Sequence, residues 1–290
     1  MRLNNIDTQY SSRPRISRRN PGGFVRQLIL IFAILLVLVP VYFIIITSLK
    51  DSADYAVNKT GFPAQIYLAN VVTAMRNGRF FLWFANSIIL AGGAVFVSTI
   101  VSVLAAFAFA RMKFRISRVY LSIITSLMVI PPVVMIIPIF IMLSRLHLTS
   151  NYFGAIVIYA GLITPFTVYM LTNFFRSVPH EIVESALIDG ASSLGILYQI
   201  MLPLSGPALV TAIIVNGLWV WNDLLIALVL LPKDELRTLM VGITVFGSRY
   251  NRDIPVAMTG MLLASLPMFI LYLFGQRYFI KGMLAGALKG

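Results

Sequence analysis

Glu181, Glu184 and Asp189 are the carboxylates of a segment, residues 177–204, that holds no lysine or arginine. Ile182, Ala186 and Leu187 lie among them. An apolar face rimmed by carboxylates suits docking into a groove on a partner protein, whereas a helix that only rests on lipid headgroups is usually basic. The local signals give a helix–turn–helix. Pro179 fits a first helical turn, where its missing N–H costs nothing, and Glu181 and Glu184 favour the positive helix end. Asp189-Gly190 then breaks the helix. Ala191 to Met201 is expected as a second short helix, stopped by Pro203. The spacing is Glu184-Ser185-Ala186, three residues, Gly190, nine residues, then Ile200-Met201-Leu202-Pro203.

Such an element needs a scaffold, and the composition says what kind. The chain is 59% hydrophobic and 11% charged, against roughly 25% charged in soluble domains. Its net charge of +13 is gathered at the ends of apolar runs, as membrane anchors are, and not on a nucleic-acid face. The absence of cysteine excludes disulfides, thiolate metal sites and thiol chemistry. Residues 1–23 are expected as a disordered basic tail, and residues 24–290 as a membrane domain. Gln27 to Leu49 is uncharged and too long for a signal peptide. Six apolar stretches, near 26–49, 84–110, 119–143, 153–175, 205–231 and 257–280, are long enough to cross a bilayer and must be helical. The expected fold is all-α, a polytopic membrane protein with six transmembrane helices.

Fourteen of the 23 lysines and arginines fall in the two termini, the connector 111–118 and the loop 176–204. The positive-inside rule therefore puts both termini and that loop in the cytoplasm. Pro131, Pro132 and Pro138 in the third span are expected to give a packing kink, with a substrate-lining break as the alternative. Small residues such as Gly92, Gly93, Ala105 and Ala106 place the second span inside the bundle. Candidates for a solute path are Tyr159, Tyr169, Asn173, Asn222 and Asp223. Asp223 is counted near the outer surface, beside Trp219 and Trp221, which read as an aromatic belt. His147 and His180 fall on opposite sides and share no metal, and no cluster of acids or histidines within the spans supports an enzyme.

The loop spacing resembles the Glu-Ala-Ala loop of ATP-binding-cassette (ABC) importer permeases, with Ser185 replacing the first, middle-position alanine. Further likeness runs from about Leu28 to Gly290 and favours the carbohydrate type (CUT1), of which the MalG subunit is the model. It includes Ser48-Leu49-Lys50, Asn86-Ser87, Ala105-Ala106-Phe107-Ala108-Phe109-Ala110-Arg111, Pro131-Pro132, Trp221-Asn222-Asp223, Arg237-Thr238-Leu239 and the ending from Lys281. The resemblance implies a type I importer fold in a bacterial inner membrane. It implies a second permease, two ATPase subunits that bind ATP and magnesium, and an extracytoplasmic binding protein. Glu181, Glu184, Ser185, Ala186, Asp189, Gly190, Ile200, Leu202 and Pro203 would form the coupling helix that docks on an ATPase. The chain itself has no Gly-x-x-x-x-Gly-Lys-Ser/Thr stretch and is expected to hold no cofactor. A permease for glycerol-3-phosphate-like solutes shares these motifs. An ion-coupled secondary transporter is the alternative of another class.

Overall fold

The computed structural model describes residues 21–76, 79–112, 114–249 and 253–287, all of whose regular elements are helical. Of the expected tail, residues 1–23, the first twenty lie outside the described residues, and the first helix already begins at Pro21. The chain divides into two units, residues 1–43 and 44–290. Helix α1 (Pro21–Ser48) supplies the described part of the first. Its side chains from 25 to 42 are exposed and almost all apolar, a surface suited to lipid.

The second unit continues with two short helices, α2 (Ser52–Val57) and α3 (Ala69–Arg76). The long α4 (Phe80–Arg111) follows, then α5 (Ser117–Ser126), a 3-10 turn at Leu127–Val129, and α6 (Pro132–Arg145). Next come α7 (Tyr152–Ser177), α8 (His180–Ile188), α9 (Ser193–Ile196), a π-helical turn (Leu197–Met201) and α10 (Leu202–Leu204). The chain ends with α11 (Gly206–Asn222), α12 (Leu225–Leu230), α13 (Leu239–Arg249) and α14 (Ile254–Ala287).

Four of the described helices are long and apolar enough to cross a membrane unbroken, and the count reaches six only if two bent pairs are each taken as one crossing. One bent pair is the expected third span. Pro131 and Pro132 do not kink it; they break it, and the flanking helices meet at 101°. Pro132 supplies no N–H and Pro131, extended at φ −62° and ψ 127°, starts α6 afresh. The expected fifth span, 205–231, is likewise interrupted after Asn222.

The core of the second unit is the parallel pair α4 and α7. In lipid, helices gain little from burying apolar groups, so close van der Waals contact must hold them together. Small residues permit it: Ala94, Ser98, Ser102 and Ala106 of α4 are fully buried. A Cβ on Gly93 would lie 2.7 Å from Ile156 Cδ1. Polar side chains add cross-links, with Ser98 and Thr164 hydroxyls 3.0 Å apart. Helix α11 runs antiparallel on this pair, its buried Asn216 donating to Thr167 Oγ1 at 2.7 Å. Helix α14 packs behind α11. Trp221, expected in a belt, is instead buried, its ring against Phe84 and its Nε1 donating to Ala264 O of α14.

At the Phe80 end of α4, distant parts of the sequence meet. Asn86 Nδ2 donates to Glu235 O (2.8 Å) and Arg237 O (2.9 Å), while its Oδ1 accepts from Tyr152 OH at 2.6 Å. Ser87 Oγ accepts from Leu239 N, and Trp83 Nε1 donates to Asp234 O. A Cβ on Gly242 would collide with the Trp83 ring at 2.2 Å, so glycine there lets α13 close on α4. The nearby Lys50, counted from sequence as a surface anchor, is fully buried and donates to Asn58 O at 2.5 Å. Replacing Asn86 by Ala strands two carbonyls and a phenol. It is expected to cost about 2–3 kcal/mol, read as a lower melting temperature of the detergent-solubilised chain. Asn222→Ala, whose exposed amide bonds only within its own helix, should change stability by less than about 0.5 kcal/mol.

Candidate functional site

The elbow between α7 and α11 is built by end-capping. Helix α8 begins after Pro179, which sits at its N-cap position with extended φ −54° and ψ 140°. It ends in a Schellman motif. Ala191 N donates to Ala186 O at 2.9 Å and Gly190 N to Leu187 O at 3.1 Å, with Gly190 at φ +82°. This is the 6→1 and 5→2 pattern that satisfies the last carbonyls of a helix. The spacing between Ala186 and Gly190 is therefore a capping geometry: one is the third-last residue of the helix, the other the left-handed residue that closes it. Ser185 is accommodated because its hydroxyl donates to Glu181 O at 2.8 Å.

Ser192 then opens α9, its Oγ accepting from Gly195 N at 3.1 Å. Here the structure departs from expectation. The second helix does not stop at Pro203 but runs through it to Leu204. Pro203 has no N–H to offer the preceding turn, and its ring would crowd a regular one. The helix widens over Leu197–Met201, and Leu202 N donates to Leu197 O, an i→i+5 bond. The turn into α11 comes later, at Ser205, with a bend of 76°.

The elbow has two faces. Inward, Val183, Ala186, Ala191 and Leu202 pack with the buried Leu197 and Met201 on Val103 and Phe107 of α4 and on Leu171 and Phe175 of α7. Ala186 and Leu202 thus hold the elbow on its base; Ile200 is half-buried. Outward, Glu181, Glu184, Ser185, Asp189, Gly190 and Pro203 are exposed. They border apolar side chains that sequence reasoning only partly named: Ile182 and Leu187, but also Ile188 (86% exposed), Leu194 and Tyr198. The unnamed side chains lie on both sides of the Schellman turn, Ile188 in α8 and Leu194 and Tyr198 beyond it, so neither helix's periodicity alone displays them.

A second feature lies between the broken third span, α7 and α11. A cavity of about 700 Å³ is lined by Ile130, Pro132 and Pro138, by Gly161 and Phe166, and by Asn216 and Trp219, among others. Another of about 670 Å³ shares Val215 and Trp219 with it and adds Asn222, Asp223 and Tyr272. Of the expected path residues, Asn222 and Asp223 line the second cavity. Tyr159 is fully buried beneath them, its ring 6.1 Å from Trp219. Tyr169 and Asn173 are exposed and line neither. Trp219, read from sequence as part of an aromatic belt, lines both cavities, and Asn216, which sequence reasoning did not single out, lines the first.

Asp223 has a structural duty. Its Oδ2 accepts from Tyr159 OH at 2.5 Å and from the backbone N–H groups of Ile226 (3.0 Å) and Ala227 (3.1 Å). It caps α12 across the break in the fifth span. No group of three or more histidine, cysteine or acidic residues suited to a metal occurs among the described residues.

The family model described as "Binding-protein-dependent transport system inner membrane component" matches residues 98–284. The chain is 41% identical to a protein named as an ABC transporter permease, ORF2, from Caldicellulosiruptor sp. (strain Rt8B.4), over 87% of this chain and 92% of that one. It is 33% identical to the melibiose/raffinose/stachyose import permease protein MelC of Bacillus subtilis (strain 168), over 87% and 91% of the two chains. The fold is similar to a chain of a bacterial ABC transporter involved in the import of the acidic polysaccharide alginate. That likeness has a TM-score of 0.78 and 26% identity, over 89% of this chain and 96% of that one.

The cap at Gly190 makes a graded prediction. A Cβ there would meet nothing within 4 Å, so only the backbone torsion is penalised. Gly190→Asn should stay within about 0.5 kcal/mol of the parent, because asparagine visits the left-handed region, whereas Gly190→Val should cost about 1–2 kcal/mol. Limited proteolysis around residue 190 and thermal unfolding check the order.

Proposed function

The chain belongs to the family of binding-protein-dependent transport system inner membrane components, and from that premise we propose that it is the permease subunit of an ABC importer for a sugar or sugar derivative. The observation that carries the reading is the outward side of the elbow, where Leu187, Ile188, Leu194 and Tyr198 are exposed together with Glu181, Glu184 and Asp189. This surface sits on a capped, well-packed base and has the chemistry of a helix that seats in a partner's groove.

In this reading the elbow lies in the cytoplasm, with both termini, and docks on one of two ATPase subunits. ATP and magnesium are bound by those subunits, consistent with a sequence that offers no phosphate-cradling loop. A second permease completes the path, and an extracytoplasmic binding protein delivers the solute. The mechanism is linkage: nucleotide binding closes the ATPase pair, the elbows move with it, and the permease state that the closed pair grips best gains population. A sugar is favoured because the relative MelC is named for sugars and because Trp219 presents a ring, and Asn216 and Asn222 present amides, at the two cavities. Sugar C–H faces stack on aromatic rings, and amides bond hydroxyls.

Glu184→Lys or Gly190→Pro is expected to leave the chain in the membrane, reduce the ATPase subunits that co-purify, and lower sugar uptake at least tenfold. A normal complex with full uptake from both would overturn the docking role. The chain has no cysteine, so a single Cys at Ser185 should react with an impermeant maleimide only after the inner face is opened; labelling from outside would reverse the orientation. Trp219→Ala should raise the half-saturating sugar concentration roughly tenfold, equivalent to about 1.4 kcal/mol, with ATPase docking unchanged.

A further inference from the structure

Helix α7 ends at Ser177, and its last carbonyls have no helical N–H above them. The chain meets only some of them locally: Ser177 Oγ donates to Phe174 O at 2.7 Å and Val178 N to Phe175 O at 3.3 Å. Val178 is extended at φ −67° and ψ 131°, and Pro179 has no N–H. Two extended residues alone join the membrane helix to α8, a joint in which motion of α8 would be lost. The side chain that closes this gap comes from another helix. Arg111, the last residue of α4, donates from Nη2 to Phe175 O and to Val178 O, both at 2.6 Å. Its Nη1 lies 3.2 Å from Nδ1 of His180, the first residue of α8. Because a guanidinium only donates, that ring nitrogen accepts and the imidazole proton sits on Nε2.

One planar fork thus touches the end of α7, the joint and the start of α8. Charge-assisted bonds of this kind are about twice as strong as neutral ones, and the fork fixes angle as well as distance. The reverse contact is weaker: Arg176 of α7 reaches Phe109 O of α4 at 3.4 Å. Helix α4, 32 residues long, spans about 48 Å at 1.5 Å per residue. Its other end carries Trp83, Asn86 and Ser87, which grip residues 234–239.

We propose that Arg111 is a positioning residue that locks the elbow to α4 and α7, so that displacement of α8 by a docked partner is delivered to α4 as a rigid body instead of being absorbed at Val178-Pro179. This rests on the importer reading above, in which α8 is the docked element.

The test has two arms. In the assembled complex in proteoliposomes, the readout is solute imported per ATP hydrolysed. Arg111→Met should retain the ATPase subunits and hydrolyse ATP while that ratio falls at least fivefold. Arg111→Lys, a single point donor in place of a fork, should lie between Met and the parent, and Arg176→Met should stay near the parent. An unchanged ratio in Arg111→Met would overturn the proposal, as would full restoration by lysine. The second arm needs no partner and decides the matter if Arg111→Met fails to assemble. Nitroxides at Ser185→Cys on α8 and Leu104→Cys on α4 of the full chain should give a narrow distance distribution, broadened by Arg111→Lys. Equal widths would overturn the lock. If the parent chain binds no ATPase subunits at all, the importer reading fails instead, while the label widths still report on Arg111.

Discussion

Backbone groups taken away from water must find partners inside the protein, and this chain interrupts its helices where that demand is hardest to meet. Several interruptions are answered by a named group. The break after Asn222 exposes the N–H groups of Ile226 and Ala227, and Asp223 accepts both. The carbonyls of residues 235 and 237 are met by Asn86, and those of 175 and 178 by Arg111. The end of α8 is closed by its own Schellman turn. Packing of α4 on α7 supplies the rigid body, but these few polar side chains decide where the chain is allowed to bend.

That view separates what the sequence discloses from what it hides. Apolar runs, the small-residue character of α4 and the break at Asp189-Gly190 are local signals, and each was legible. The consequences of the prolines were not. Pro131-Pro132 reads first as a packing kink, yet the flanking helices meet at 101°. Pro203 reads as a stop, yet a widened turn carries the helix through it because Leu197, Met201 and Leu202 are held on the core. Trp221 and Lys50 read as surface anchors by type; both are buried, Trp221 donating to the distant Ala264 O and Lys50 to Asn58 O nearer along the chain. Side chains whose role is set by a remote backbone atom carry no mark of it in their own neighbourhood.

The candidate site shows the same division. The acidic residues of the elbow stand out by contrast with a basic chain, whereas the exposure of Ile188, Leu194 and Tyr198 is set by which side of each short helix packs on the core. Asn86-Ser87 and Arg237-Thr238-Leu239 were noticed as separate likenesses; in the fold they are a single joint. Family membership and geometry thus divide the work between them. The family says what kind of machine the chain belongs to, and the geometry says which residues tie its elbow to the helices beneath it.

The joint at Asn86 has a bearing on how the chain is made. Its two acceptors lie 149 and 151 residues further along, and a ribosome adding about 5–20 residues per second needs roughly 8–30 s to reach them. During that interval the amide waits, half-answered by Tyr152 at best, near the end of a helix already delivered to the bilayer. The nascent permease therefore passes through a stage in which its most stable helix pair is assembled but its polar clasp stands open, and release from the insertion machinery before residue 239 emerges would leave that clasp for water, lipid headgroups or a chaperone to fill.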